Sequence, residues 1–355
     1  MQLSGFPAAE VEFDRTGELV GDRGEAVRAL AADPAVTDLV VLTHGWNDDH
    51  LVARLLYSAL AGSLRAVSGD PPGRRLAFAC VLWPSRKLAE GGLAERLDLL
   101  RDLVPGQRLT IDAAADLVPA LAARATARTA FAAALLSAAA RGADDHEDAS
   151  TQLFTLPGGT VMDRLGADAA AHLLDFLAYY EMKARAGSVG VRGLAPLLAA
   201  FAGPRVHLVG HSFGGRLVTA AANACPAGSL ATLTLLQAAF PHDGFAGSFR
   251  RVVAEGVVTG PILVTHSARD AAVDLAFAIA SRIADAGSGS YGAIGRHGAQ
   301  RTAEAVAAEL LPVSGTYRWR PGVPHNLLAD RFVRGHTDVC GPQIAHALSS
   351  AIAAS

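Results

Sequence analysis

The sequence predicts an α/β protein: a mostly parallel central sheet flanked by helices, with a helical cap inserted into it. Short apolar runs rich in Val, Leu and Thr alternate with longer helical stretches, the pattern of strands joined by helical crossovers. The strand signals then nearly vanish over residues 86 to 186, where Ala- and Leu-rich helical sequence takes their place. With 355 residues, 51% hydrophobic and 18% charged, the chain is long and apolar enough to bury a large core. The core is assigned to residues 1–85 and 187–355, and the cap to residues 86–186.

At the N-terminus, Val11-Glu12-Phe13-Asp14 and Glu18-Leu19-Val20 flank Arg15-Thr16-Gly17 and read as a hairpin. Leu39-Val40-Val41-Leu42-Thr43 is a buried strand running into His44-Gly45-Trp46-Asn47, with a helix expected over residues 49 to 66. Residues 76 to 83 form another buried strand that stops at Pro84. Helical pattern fills residues 111 to 140 and 163 to 186. Strands resume at 206–209, 232–236 and 261–265, a last one is expected within 316–330, and a terminal helix runs from Pro342, a residue suited to a first helical turn.

Net charge and cysteine usage exclude several function classes. A charge of −3 leaves no basic footprint for nucleic acid and no dense cationic face for an anionic membrane. Cys80, Cys225 and Cys340 are odd in number, far apart and set in apolar sequence, and so read as free thiols rather than a disulfide framework or thiolate metal site. The N-terminus lacks a basic and then apolar leader, and residues 129 to 140 are too few to span a bilayer, so a cytoplasmic protein without a transmembrane segment is expected. Arg far outnumbers Lys and Ala is abundant, a usage that points to a GC-rich, bacterial genome.

Chemistry concentrates at Gly210-His211-Ser212-Phe213-Gly214. A serine between two glycines, after an apolar strand and before a helical stretch, has the form of a nucleophile elbow, whose crowded turn needs small residues two positions either side. Chance alone supplies such a pentapeptide often enough that its setting must carry the argument. A serine hydroxyl is a weak nucleophile at neutral pH and needs a histidine base and an orienting carboxylate. Asp270 lies just beyond the strand at 261–265, with Asp243 and Asp274 as alternatives. His336, between the last strand region and the terminal helix, is the candidate base ahead of His297 and His325, while His346 falls inside the helix. For the oxyanion, the Phe213 amide and an amide of the His44-Gly45-Trp46 turn, Trp46 first and Gly45 next, are the candidate donors.

Other features read as structural. His44, Asp48, Asp49 and His50 match no compact ligand spacing, so no metal is expected. The Gly/Ser run at 287–290 lacks the lysine of a phosphate loop, and Asp144-Asp145-His146-Glu147-Asp148 reads as a solvated loop. His207 and His211 are placed in the strand and elbow, and Phe131, Phe176, Tyr179 and Tyr180 in the packing of the cap. Trp46 and Trp83 are candidate walls of an acyl pocket.

Through His44-Gly45-Trp46, the elbow at Ser212, the post-strand Asp270 and the late His336, the chain resembles the α/β-hydrolase superfamily, in particular bacterial esterase- and lipase-like members. The resemblance covers residues 35 to 85 and 187 to 355. It implies a cofactor-independent serine hydrolase that cleaves carboxylic esters through an acyl-enzyme on Ser212, acting on a small ester or acyl substrate in a hydrophobic pocket beneath the cap. Thioesterase or acyltransferase chemistry, a lipase meeting its substrate at a lipid interface, and a noncatalytic binding module on the same fold stand as alternatives.

Overall fold

A computed structural model describes residues 1–46, 48–85, 91–138, 156–165, 168–273 and 292–355. It divides into two compact units: Met1–Arg86, Arg185–Val273 and Ala293–Ser355 form the first, and Lys87–Ala184 with Asp274–Gly292 the second.

The first unit holds a sheet that, among the described residues, has nine strands: β1 (Gln2–Leu3), β2 (Phe6–Glu12), β3 (Asp38–Thr43), β4 (Leu76–Leu82), β5 (Arg205–His211), β6 (Thr232–Leu236), β7 (Ile262–His266), β8 (Val306–Glu309) and β9 (Pro324–Leu328). Their order is β1-β2-β4-β3-β5-β6-β7-β9-β8, and every pair is parallel except β1 with β2. Both faces of the central strands are covered: every residue of β3, β4 and β6 is buried, which is why they read as unbroken apolar runs rather than alternating ones.

In chain order the helices are α1 (Arg23–Ala32), α2 (His50–Val67), α3 (Leu93–Leu103), α4 (Arg108–Ala115), α5 (Ala125–Ala138), α6 (Gly158–Leu165), α7 (Ala169–Ser188), α8 (Ala195–Ala199), α9 (Phe213–Ala224), α10 (Arg250–Ala254), α11 (Ile294–His297) and α12 (Pro342–Ala353). Asp49 caps α2, its carboxylate accepting from the amides of Leu51 and Val52. Tyr57, Leu60 and Leu64 of α2 and Ile344, Leu348 and Ile352 of α12 join one apolar cluster with β3 and β4. Burial of each such aliphatic side chain stabilises the fold by about 1.5–3 kcal/mol. In the second unit Phe131 is fully buried, and Tyr180 packs edge-on against Phe176 and Tyr179.

At the amino ends of the strands, β3 and β5 are joined by charge. Asp38, with no exposed surface, accepts from Arg74 Nη1 (2.9 Å), Arg205 Nε (2.9 Å), Thr37 Oγ1 (2.6 Å) and His207 Nε2 (3.0 Å). Burial alone would raise the Asp38 carboxyl, but hydrogen bonds from His207, Arg205 and Thr37 outweigh it and hold the group well below the ordinary carboxylate range. His207 is neutral because burial disfavours its charge, and its Nδ1 accepts from Thr232 Oγ1.

Several expectations are corrected. The expected N-terminal hairpin is present only in short form, an antiparallel Phe13–Leu19 bridge flanked by Val20 N donating to Glu12 O (2.9 Å) and Asp14 N donating to Glu18 O (2.8 Å), while the residues before it extend into β2, which pairs in parallel with β4. Bonding to a fully buried strand offers β2 more apolar contact than a two-stranded ribbon would. The continuous helix expected over residues 111 to 140 is interrupted between α4 and α5 by a 3₁₀ turn at Val118–Ala120 that carries Pro119. Helix α1 and strand β8 are additional elements; β8 alternates half-buried and exposed residues and gives no apolar run. The acidic stretch 144–148, the Gly/Ser run 287–290 and Asp274 lie outside the described residues.

Candidate active site

In the sheet order, β3 connects to β4 on one side while β5 leads to β6, β7 and β9 on the other. The winding therefore reverses between β3 and β5, and their carboxyl ends open the crevice where ligands of such sheets bind. Register sets Thr43 opposite Gly210 and His211 opposite Leu236, so the turn after β3 and the turn after β5 lie side by side.

Ser212 occupies the second turn in a strained conformation, φ 55° and ψ −124°. The bend is fixed on both sides, Ser212 N donating to Leu236 O and Ser212 O accepting from Ala239 N and Gly215 N. A Cβ on Gly210 would lie 2.3 Å from Gly214 O, and one on Gly214 would lie 2.5 Å from the carbonyl oxygens of Thr43 and His44, so only glycine fits either position. Phe213 opens α9, where its amide lies at the positive end of the helix dipole.

His336 reaches the serine from the loop after β9. Its Nε2 is 2.9 Å from Ser212 Oγ and its Nδ1 2.9 Å from Asp270 Oδ2. Ionised Asp270 can only accept, so Nδ1 carries the proton and Nε2 accepts from the serine hydroxyl. Asp270 has no exposed surface, and its other oxygen accepts from Val273 N. The loop that carries it is held by Asp330, whose Oδ1 accepts from Ser267 Oγ (2.7 Å) and Ala268 N (2.9 Å). Ser212, His336 and Asp270, three residues singled out from the sequence, are thus brought together in one relay.

The remaining histidines are engaged elsewhere. His211 Nε2 donates to His336 O at 2.9 Å, and the two rings lie 4.8 Å apart. Burial, and next the positive charge His336 can carry, push the His211 imidazole down to about 3, so it stays neutral. His44 is buried between Trp83 and Tyr57; burial pushes it down to about 4, and its ring donates through Nδ1 to Gly45 O while Nε2 accepts from Trp83 N. His325 accepts from Arg320 N, His346 bonds Gly315 O, and His297 lies on the surface. Asp243 pairs with Arg301.

The turn after β3 differs from expectation in two respects. Trp83 is fully buried and donates through Nε1 to His44 O, so it braces the turn from behind instead of walling a pocket. The Gly45 amide, the second candidate donor of this turn, donates to Asp48 Oδ2 at 3.0 Å. The Trp46 ring packs on Phe213, with centroids 5.8 Å apart. Gly45 serves by lacking a side chain: a Cβ there would lie 2.8 Å from Ser212 Cβ and 3.3 Å from Ser212 Oγ.

Sequence reasoning missed the parts played by Asp48, Asp330 and His211. The signal for Asp48 was present, since a carboxylate three residues past a glycine turn can fold back on its amide. Asp49 caps α2 and His44 is turned inward, so His44, Asp48, Asp49 and His50 do not converge; among the described residues no group of three or more His, Cys, Asp or Glu is placed to hold a metal ion. Cys80 and Cys225 are buried free thiols, and Cys340 is a half-buried one. No described helix is long and apolar enough to cross a membrane. No family model matches the chain, and no curated protein or solved structure matches it.

Proposed function

We propose that this protein is a serine hydrolase of the α/β-hydrolase type that cleaves carboxylic esters through an acyl-enzyme on Ser212. The observation that carries the reading is the unbroken relay from Ser212 Oγ through His336 to buried Asp270, both hydrogen bonds at 2.9 Å. A positive-φ serine at the carboxyl end of β5, beside the reversal of strand order, supports it further.

In this reading Ser212 Oγ attacks the ester carbonyl carbon and its proton passes to His336 Nε2. The carbonyl pair moves onto oxygen, which the Phe213 and Trp46 amides stabilise. Collapse of that intermediate breaks the bond to the alkoxide, which leaves with the proton from His336. Water then attacks the acyl carbon while His336 takes its proton, and Ser212 is released with that proton restored. Asp270 holds the imidazole in the required tautomer and favours its transient charge. The Trp46 ring, packed on Phe213 next to the nucleophile in the chain, offers an apolar surface suited to an acyl group.

The test is labelling of the purified protein by a fluorophosphonate, alongside hydrolysis of p-nitrophenyl esters of graded chain length. Wild type should label and turn over, Ser212→Ala should do neither, and Asp270→Asn should lose about 10³- to 10⁴-fold in kcat. Equal labelling of wild type and Ser212→Ala, or an inert wild type, would sink the reading and leave a binding module in its place.

A further inference from the structure

Asp48 belongs to none of the steps above, yet it sits against them. Its Oδ2 accepts from the Gly45 amide at 3.0 Å, and its own carbonyl accepts from Ser85 Oγ at 2.5 Å, which ties the turn to the end of β4. Gly45 is in turn the residue whose missing side chain makes room for Ser212. The carboxylate and His336 also interact through their charges, so the imidazole has Asp270 bonded at Nδ1 and a second acidic group acting on it through space.

We propose that Asp48 is a positioning residue of the reaction: its carboxylate fixes the Gly45 peptide so that the following amide, that of Trp46, is presented to the oxyanion, and its charge favours the protonated His336 formed during acylation. The proposal rests on the serine-hydrolase reading and adds a second carboxylate to it. The chemistry requires such a brace. An oxyanion donor works only if it is held in place before the charge develops, and a short turn of backbone does not hold itself.

The groups that face Asp48 define how it responds to pH. Burial raises its carboxyl above the ordinary range, the Gly45 amide and the charge of His336 oppose that, and neighbouring Asp49 adds to it. Asp48 therefore takes up its proton at a higher pH than an exposed aspartate. As it does so the acceptor that holds the Gly45 amide weakens, which reduces activity on the acid side.

The experiment compares wild type, Asp48→Asn and Asp48→Ala in p-nitrophenyl ester hydrolysis from pH 5 to 9, with fluorophosphonate labelling of each. Asn keeps an acceptor for the Gly45 amide and loses the charge; Ala loses both. Asp48→Ala should lower kcat about 10- to 100-fold at pH 8 with KM within about twofold, and Asp48→Asn should fall less, about 3- to 10-fold. In both variants the acid limb of the kcat/KM profile should move to lower pH by about half a unit, because His336 no longer has that charge beside it. A uniform loss at every pH with the limb unmoved would reduce Asp48 to a structural carboxylate, and kcat within twofold of wild type in both variants would overturn the proposal outright. If Asp48→Ala does not fold, the Asn variant and its pH profile decide alone. An inert wild type would instead overturn the hydrolase reading and this proposal with it.

Discussion

The imidazole of His211 donates a hydrogen bond from Nε2 to the backbone carbonyl of His336 across 2.9 Å, so the residue before the nucleophile anchors the loop that carries the base. Elbow and base loop come from strands far apart in the chain, and this bond joins them within one side chain of Ser212 Oγ.

Replacing His211 separates anchoring from packing. Gln can place an amide nitrogen near the position of Nε2, whereas Leu fills the volume without a donor. His211→Leu should cost about tenfold in kcat/KM, the effect of roughly 1–1.5 kcal/mol from a lost buried hydrogen bond, while His211→Gln should recover most of it. Equal activity of the two variants would show that the bond does not position His336.

Gly45→Ala should be much more damaging than its size implies. The added methyl would stand 2.8 Å from Ser212 Cβ, closer than such atoms approach, and either the turn or the serine must shift. A displacement of that order should lower kcat about 100-fold while the melting temperature changes little. Steady-state kinetics and thermal unfolding of the same preparation check both halves.

Stability should fall as the solution is acidified below the ordinary histidine range. His44 and His211 are held neutral in the folded protein down to about 4 and about 3, respectively. Above about pH 6.5 folded and unfolded chains bind protons alike at these residues, and below it only the unfolded chain does. Each should remove about 1.4 kcal/mol of stability per pH unit between about 6.5 and its folded value. Guanidinium unfolding at pH 7, 6 and 5 measures the slope, which His211→Gln should reduce; a flat dependence would contradict the assignment.

Asp38 contributes with the opposite sign. Its carboxyl is depressed in the folded state, so its stabilising contribution is complete above about pH 4, the unfolded value, and disappears as the pH falls further. Asp38→Ala leaves Arg74 and Arg205 without the carboxylate between them and should destabilise the protein by about 3–5 kcal/mol at neutral pH, read from urea unfolding.

The sheet and the relay were legible for different reasons. Strands β3 to β7 are buried and declare themselves as apolar runs, and Ser212, Asp270 and His336 were found because each follows a strand region, in the order nucleophile, acid, base. Strand β8, with its half-exposed alternation, gave no local signal, and β2, whose partner lies some seventy residues on, was read only at its end, from Val11. What the sequence concealed at the site was bonding: that Asp48 takes the Gly45 amide, that Trp83 faces inward, and that Asp330 supports the loop of Asp270. Such partners are settled by tertiary approach, which residue spacing does not encode.

The pairing of β3 with β5 has a consequence for biosynthesis. Asp38 and Arg205, which meet at the start of those two strands, are 167 residues apart in the chain. As the polypeptide leaves the ribosome, β3 and β4 emerge well before the central partner of β3 has been made, whereas the helices of Lys87–Ala184 contact mainly one another and can compact at once. The first stretch of the chain must wait with an apolar strand edge uncovered until synthesis has passed residue 211. During that interval the unpaired edge of an apolar strand is the kind of surface through which incomplete chains associate.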